Sequence, residues 1–230
     1  MISLTWYGHA TWLITISGEQ EHKILLDPFL TDNPAAPVKC DDVTVDTVLI
    51  SHGHFDHVAD AAEIANKNDA TLVAVYEIAS WFAEKHSVKN TIGMNIGGQA
   101  KLDFGSVKMT HAIHSSQLPD GSSGGCPEGF VVTIADQKIY FACDTALFSD
   151  MQLIGKMGID LAVIPIGDLF TMGVADSIAA IEMINPKQVL PTHYNTWPPI
   201  EQDENAWSDL VRSKTSAEPV VLKPGQSHAL

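Results

Sequence analysis

The stretch Ser51-His52-Gly53-His54-Phe55-Asp56-His57 places three histidines and an aspartate within six consecutive positions. Such side chains fill a core poorly, and a solvated turn does not need them. They are, however, good ligands for a first-row metal ion, which takes imidazole nitrogen and carboxylate oxygen at about 2.0–2.2 Å. In an extended backbone, residues two apart point to the same side, so His52 and His54 converge on one ion. Gly53 between them lets the chain turn sharply and approach closely. If a helix begins near Asp56, then Asp56 and His57 project in another direction and can serve a second ion. Neighbouring ions need further ligands, and His114, Asp144 and His193 are the natural supply. The bland alternative, a solvated polar turn, leaves those distal residues and their strand-end setting unexplained.

The elements that must position these residues are short apolar, β-branched runs. Leu4–Tyr7 and Thr11–Ile16 read as a pair of strands, followed by His22–Leu26 and Val45–Ile50. Ala59–Asn66 has helical composition, Leu72–Val75 is a strand, and Glu77–Lys85 is again helix-like. The middle of the chain reads as strands over Lys101–Phe104, Val107–Thr110, Phe130–Ile134 and Lys138–Ala142. Leu161–Pro165 and Gln188–Leu190 follow, separated by a helix over Val174–Ile184 that Asn185-Pro186 would end. Residues 31–42, 115–129 and 195–205 read as loops, where binding surfaces commonly sit. Many of the apolar runs end in an ionisable residue: Asp27, His52, His114, Asp144, Asp168 and His193. If these strands share one sheet or two packed sheets, their ends gather at one edge, as ligand sites in such folds do. Strands and helices are mixed with too many hairpins for a purely parallel wind, which points to α+β or mixed α/β.

The chain has 230 residues, 45% of them hydrophobic and 18% charged, as expected of one globular domain spanning residues 1–230. A formal net charge of −15 repels phosphate backbones and anionic lipid, so neither nucleic acid nor membrane is an expected partner. No apolar run approaches a spanning helix, and the first residues carry no positively charged leader. Cys40, Cys126 and Cys143 are odd in number and widely spaced, which fits a reducing cytoplasm rather than a disulfide framework.

HGHFDH is a form of HxHxDH, and the chain resembles the metallo-β-lactamase superfamily over essentially its whole length. More narrowly, GHATWLI, LLDPFLTDNP, AIHSS, DTALFSDM, PIGDLFTMG and PTHYNTWP resemble a group of small bacterial metal-dependent hydrolases related to the ascorbate-6-phosphate lactonase type. The resemblance implies a four-layer αββα sandwich of α+β class with two divalent metal ions, zinc first and manganese second. It also implies that His52, His54 and His114 hold one ion, and that Asp56, His57 and His193 hold the other, with Asp144 bridging. His111 lies three residues before His114; AIHSS favours His114 as the ligand. Cys143 stands where glycine is common in the superfamily, and strand alternation would turn it into the core if Asp144 faces the ions.

Two cations would lower the pKa of a shared water, which one zinc alone can bring from about 15.7 to about 7, giving hydroxide for attack on a carbonyl or phosphoryl centre. Asp56 would orient that nucleophile or take its proton, the catalytic role. Asp27 and Asp168 would each accept the free N–H of a ligand histidine or else cap a turn or helix. His9 would face the site or lie in the core, and Tyr194 and Asn195 would line a pocket, together with Trp197, Thr171 and Met172 unless these simply pack. The expected substrate is a small anionic or ester-like molecule cleaved at an ester, lactone or phosphodiester bond. Alternatives are an iron-dependent redox protein of the same fold and a metal-binding scaffold without activity; assembly into a homo-oligomer is left open. Because ligation needs neutral imidazoles, a pH–rate profile should fall below about pH 6, and activity persisting undiminished to pH 5 would contradict histidine ligation.

Overall fold

Strand order in two seven-stranded sheets decides where each ionisable strand end emerges. A computed structural model describes all residues, Met1–Leu230. The elements run β1 (Ile2–Trp6), β2 (Trp12–Ile16), β3 (His22–Leu26), β4 (Thr47–Leu49), α1 (Phe55–Val58), α2 (Ala61–Asn68), β5 (Thr71–Val75), α3 (Tyr76–His86) and β6 (Thr91–Met94). They continue with β7 (Gln99–Leu102), β8 (Gly105–His111), β9 (Glu128–Ile134), β10 (Gln137–Phe141), α4 (Met151–Gly155), β11 (Leu161–Pro165), α5 (Val174–Ile184) and β12 (Gln188–Thr192). The chain closes with α6 (Glu204–Lys214), β13 (Glu218–Pro219) and β14 (Ser227–Ala229). It divides into two units: residues 1–96 with 115–127 and 222–230, and residues 97–114 with 128–221. No helix is long and apolar enough to cross a membrane.

The first unit holds the sheet β14-β1-β2-β3-β4-β5-β6, antiparallel as far as β3 and parallel beyond it. β1 alternates buried Ile2, Leu4 and Trp6 with half-buried residues, the period-two pattern of a strand covered on one face. β4 is buried throughout, as a central parallel strand should be. Its register with β3, Leu26 opposite Leu49, brings residue 27 and residues 50–52 out at the same edge. Ile50, Ile64, Leu72, Ile78 and Phe82 form part of this unit's buried core.

The second unit holds β13-β12-β11-β10-β9-β8-β7, parallel from β13 to β10 and antiparallel beyond. β10, β11 and β12 run side by side, with Phe141 opposite Val163 and Pro165 opposite Thr192. The segments carrying Asp144, Asp168 and His193 therefore leave the sheet at one edge. α5 covers Val174–Ile184 as expected from the sequence and ends on Asn185 in the left-handed conformation, with φ +51°.

The expected helix over Ala59–Asn66 is present as α2, shifted to Ala61–Asn68, and the short α1 over Phe55–Val58 precedes it with Ala59 and Asp60 between. The Asp60 carboxylate accepts hydrogen bonds from Leu30 N, Thr31 N and Thr31 Oγ1, so it ties down the segment after β3. The segment read as a loop over residues 195–205 runs into α6, whose buried face is only Trp207, Ser208 and Val211. That stripe is too sparse to stand out in ENAWSDLVRSK; Asp203, which accepts from the N–H groups of Asn205 and Ala206, starts the helix. β6, a four-residue edge strand with Gly93 inside, is likewise visible only through its pairing with β5.

The three thiols differ in setting: Cys126 is exposed, whereas Cys40 and Cys143 are buried. Burial, followed by the nearby carboxylates of Asp60, Glu63 and Asp41, pushes the Cys40 thiol up to about 12. In native buffer at pH 8 a thiol reagent should therefore label Cys126 rapidly and the other two only after denaturation. Rapid labelling of a second thiol, read by mass spectrometry, would contradict this packing.

Candidate metal centre

In the first unit the site grows from Asp27, which leaves β3 with φ +46° and a fully buried carboxylate. Its Oδ1 accepts from Ser51 N at 2.7 Å; its Oδ2 accepts from Ser51 Oγ at 2.6 Å and from His57 Nδ1 at 2.9 Å. Since the Ser51 hydroxyl gives its proton to Asp27, its lone pairs face His52 Nδ1, 3.0 Å away, which must then donate. His52 and His57 are thereby both held with Nδ1 protonated and Nε2 bearing the lone pair that a metal would use.

His54 is the third ring. Its Nδ1 lies 2.9 Å from His52 Nε2, and the two rings meet edge to face at 4.5 Å and 81°. Its Nε2 faces Ser115 Oγ at 3.3 Å. The two-residue spacing thus does bring His52 and His54 to one point, by different ring nitrogens. Gly53 N donates to Ser116 Oγ at 3.1 Å, and a Cβ on Gly53 would stand 3.1 Å from the Gln117 carbonyl carbon. The glycine therefore serves the close approach of residues 115–118, a role that the sequence reading assigned to it in general terms.

α1 begins at Phe55, but His57 does not turn away as expected: its ring centroid lies 4.1 Å from that of His52, closer than the 4.5 Å between His52 and His54. Asp56 Oδ2 lies 3.0 Å from Nε2 of buried His9 and 3.9 Å from His57 Nε2. His9, Asp56 and His57 each offer a ligand atom within 4.8 Å of the others. His9 occupies the turn between β1 and β2 with φ +52° and packs edge-on against Phe29. Both alternatives weighed for it meet in one residue: it is a core histidine whose Nε2 reaches an acidic candidate.

In the second unit Asp144 is the centre. Its Oδ2 lies 3.0 Å from His193 Nε2 and 3.7 Å from His114 Nε2, and both Asp144 and His193 are buried. His111 ends β8 exposed, with its ring edge-on to Phe148, so His114 is the histidine gathered with Asp144. Cys143 is buried, as expected, but strand alternation is not the cause. β10 ends at Phe141, and a left-handed turn at Cys143, φ +55°, turns the chain there. A Cβ on Gly167 would lie 2.1 Å from the His193 carbonyl oxygen, so the β11 and β12 ends can run this close only with glycine.

The remaining candidates fall differently. Asp168 is exposed in a turn, its N–H donating to Met172 O at 3.1 Å and its carbonyl accepting from Thr171 N at 2.9 Å. The turn reading fits this placement, and no hydrogen bond joins its carboxylate to a histidine. Asn195 spends its amide on closing the next loop, accepting from Gln202 N at 2.7 Å and donating to Gln202 O at 3.1 Å. Tyr194 is buried, and burial, reinforced by Glu204, raises its phenol above the ordinary range, so it stays protonated. Met172 is buried with its N–H on Thr145 O, Thr171 is half-buried beside it, and Trp197 is half-buried. Ser51 and Ser115 were not singled out from the sequence. The signal available for both was adjacency to a candidate histidine or its ligand motif.

The β-lactamase superfamily domain matches residues 22–194, a span that includes all seven candidate ligands. A UPF0173 metal-dependent hydrolase of Thermus thermophilus is 45% identical over 226 residues, covering 98% of each chain. Another, from Pelotomaculum thermopropionicum, is 45% identical over 234 residues and covers 100% of each. Among solved structures, Igni18, a metallo hydrolase from the archaeon Ignicoccus hospitalis, gives a TM-score of 0.88 at 33% identity, covering 100% of this chain and 99% of its own. The Bacillus subtilis metallo-β-lactamase fold protein YhfI gives 0.76 at 14% identity with both chains covered fully, a likeness of fold alone. The chain therefore belongs to the β-lactamase superfamily and, within it, to the UPF0173 metal-dependent hydrolases. Its α+β architecture of two mixed sheets with helices is the metallo-β-lactamase fold that the sequence resemblance implied.

Replacing Asp27 with alanine removes the acceptor that sets two ring tautomers. Zinc affinity, measured by competition with a chromophoric chelator, should fall about 10- to 100-fold. An unchanged affinity in the folded variant would show that Asp27 serves folding alone.

Proposed function

We propose that this chain is a hydrolase in which the donor groups of the two units act together on two divalent cations. His52, His54 and His114 would hold one cation and Asp56, His57 and His193 the other, with Asp144 shared. The observation that carries this reading is the set of occupied second nitrogens. Ser51, Ser115 and Asp27 take up one nitrogen of His52, His54 and His57 respectively and leave the other for ligation. The donors are imidazole nitrogen and carboxylate oxygen only, a set that suits zinc and manganese, and the nearby thiol of Cys143 is buried in the core.

Bound cations would supply Lewis acidity and an acidified water. The chain's own residues do the rest. Asp56, braced at 3.0 Å by His9 Nε2, keeps its carboxylate aimed where it can orient a water and take its proton. Asp27 keeps His57 in the tautomer that ligates. His9, Asp27 and His57 are buried and Asp56 half-buried, which lowers the local dielectric and strengthens each charge interaction. The substrate in this reading is a small molecule with an ester, lactone or phosphodiester bond, met in the cytoplasm.

The test is Asp56→Ala in the metal-loaded protein. Turnover of any ester, lactone or phosphodiester found to be cleaved should drop at least about 100-fold while the thermal unfolding midpoint stays close to that of the parent. Elemental analysis should find two zinc or manganese ions per chain, and chelation should abolish turnover reversibly. Undiminished turnover in the variant would remove Asp56 from the chemistry, and a single bound ion would remove the paired centre.

A further inference from the structure

Three of the exposed large apolar side chains of the second unit, Ile113, Leu169 and Phe170, lie on the segments that carry the candidate ligands. Leu169 is 65% exposed, Phe170 54% and Ile113 47%. Ile113 adjoins His114. Leu169 and Phe170 form the tip of the turn after β11, between the strand ends that carry Asp144 and His193. Thr145, next to Asp144, ties these segments together: its Oγ1 accepts from Ile113 N at 3.0 Å and its carbonyl from Met172 N at 3.0 Å.

The turn is built to hold those side chains outward. Asp168 and Leu169 both adopt the left-handed conformation, φ +60° and +37°, which is costly for leucine and marks functional sites more often than ordinary turns. The backbone is held by Asp168 N donating to Met172 O and by Asp168 O accepting from Thr171 N and from Phe170 N. These bonds fix the backbone of the turn, and beside the exposed Asp168 it presents the side chains of Leu169 and Phe170 to solvent.

A second, independent observation concerns charge. The chain has 13 Lys and Arg residues, and none falls in residues 27–36, 51–57, 111–127, 143–150, 166–173 or 192–205, the segments that follow the ligand-bearing strands. A phosphate or carboxylate on a substrate would find no cationic side chain from these segments. Two divalent cations set against Asp27, Asp56 and Asp144 would leave one net positive charge, which the negative charge of an activated water would cancel. An anionic group far from the reacting bond therefore gains nothing here, whereas an apolar group gains the area of Leu169, Phe170 and Ile113.

We infer that the substrate is an uncharged carbonyl compound, an ester or lactone, whose acyl or alkyl part is apolar and is recognised by Leu169, Phe170 and Ile113. This rests on the metal-centre reading above and narrows it, setting aside phosphorylated and other anionic substrates.

The experiment measures binding rather than turnover. The zinc-loaded full chain is titrated calorimetrically with alkyl hydroxamates from acetyl to hexanoyl and with inorganic phosphate. A fully buried methylene is worth about fourfold in affinity, so four half-buried ones should tighten binding at least about tenfold across the series. The double variant Leu169→Ser, Phe170→Ser should reduce that rise to under about threefold, while Leu153→Ser, an exposed leucine on α4, should leave it intact. A flat series in the parent protein, a slope unaltered in the double variant, or phosphate binding more tightly than the hexanoyl probe would overturn the inference. The companion assay compares acetyl and hexanoyl esters. If the hydroxamate slope holds but neither ester is cleaved, the hydrolase reading fails and the apolar site stands. If both are cleaved at equal efficiency and the hydroxamate series is flat, the converse holds.

Discussion

A carboxylate buried without a cationic partner must be surrounded by donors, because desolvating it otherwise costs several kcal/mol. Asp27 is such a group, and the donors are Ser51 N, Ser51 Oγ and His57 Nδ1. All of them belong to the short segment after β4, so that segment can take only a conformation wrapped around the Asp27 side chain. One electrostatic requirement thus shapes the backbone after β4, selects the tautomers of His52 and His57, and turns their Nε2 atoms to the other side. The parallel register of β3 and β4 makes this inexpensive, since Asp27 N already reaches Leu49 O at 2.9 Å.

The second unit meets its own requirement by backbone means. His193 and Cys143 are left-handed at φ +55°, Asp168 at +60°, and Gly167 admits the His193 carbonyl where any side chain would block it. Left-handed residues in other parts of the chain, Asp69, Ser87 and Asn185, end helices, where the conformation is ordinary. Those at strand ends have no such use. There the chain turns sharply enough for side chains following β10 and β12, on either side of β11, to meet, as His193 and Asp144 do at 3.0 Å.

The excursion of residues 115–127 into the first unit is part of the same economy. It starts directly after His114, places Ser115 on His54 and Ser116 on Gly53 N, and is fastened farther out by Trp81 Nε1 donating to Asp120 Oδ2 at 2.7 Å. Two hydrogen bonds from Ser122 and that indole hold the Asp120 carboxyl down at about 2, so the anchor stays charged at any physiological pH. A stretch read as a loop, rich in glycine and serine, is therefore tethered at both its histidine-facing start and its exposed tip.

Much of this was legible in the residues alone. HxHxDH, the apolar runs ending in His or Asp, and the boundaries of β3, β11 and α5 depend on spacing and propensity within a dozen residues, and local physics suffices to read them. The choice of His114 over His111 needed the family's local pattern, and the structure sets His111 outside on Phe148. What only the tertiary structure decided were the long-range pairings: His9 with Asp56 across 47 positions, Asp27 with His57 across 30, and Asp168 left in a turn. Those outcomes depend on strand register and on left-handed turns whose cost is met by the packing of a whole sheet. No window of sequence contains that balance, because the residues that settle it are neighbours only once the chain has folded.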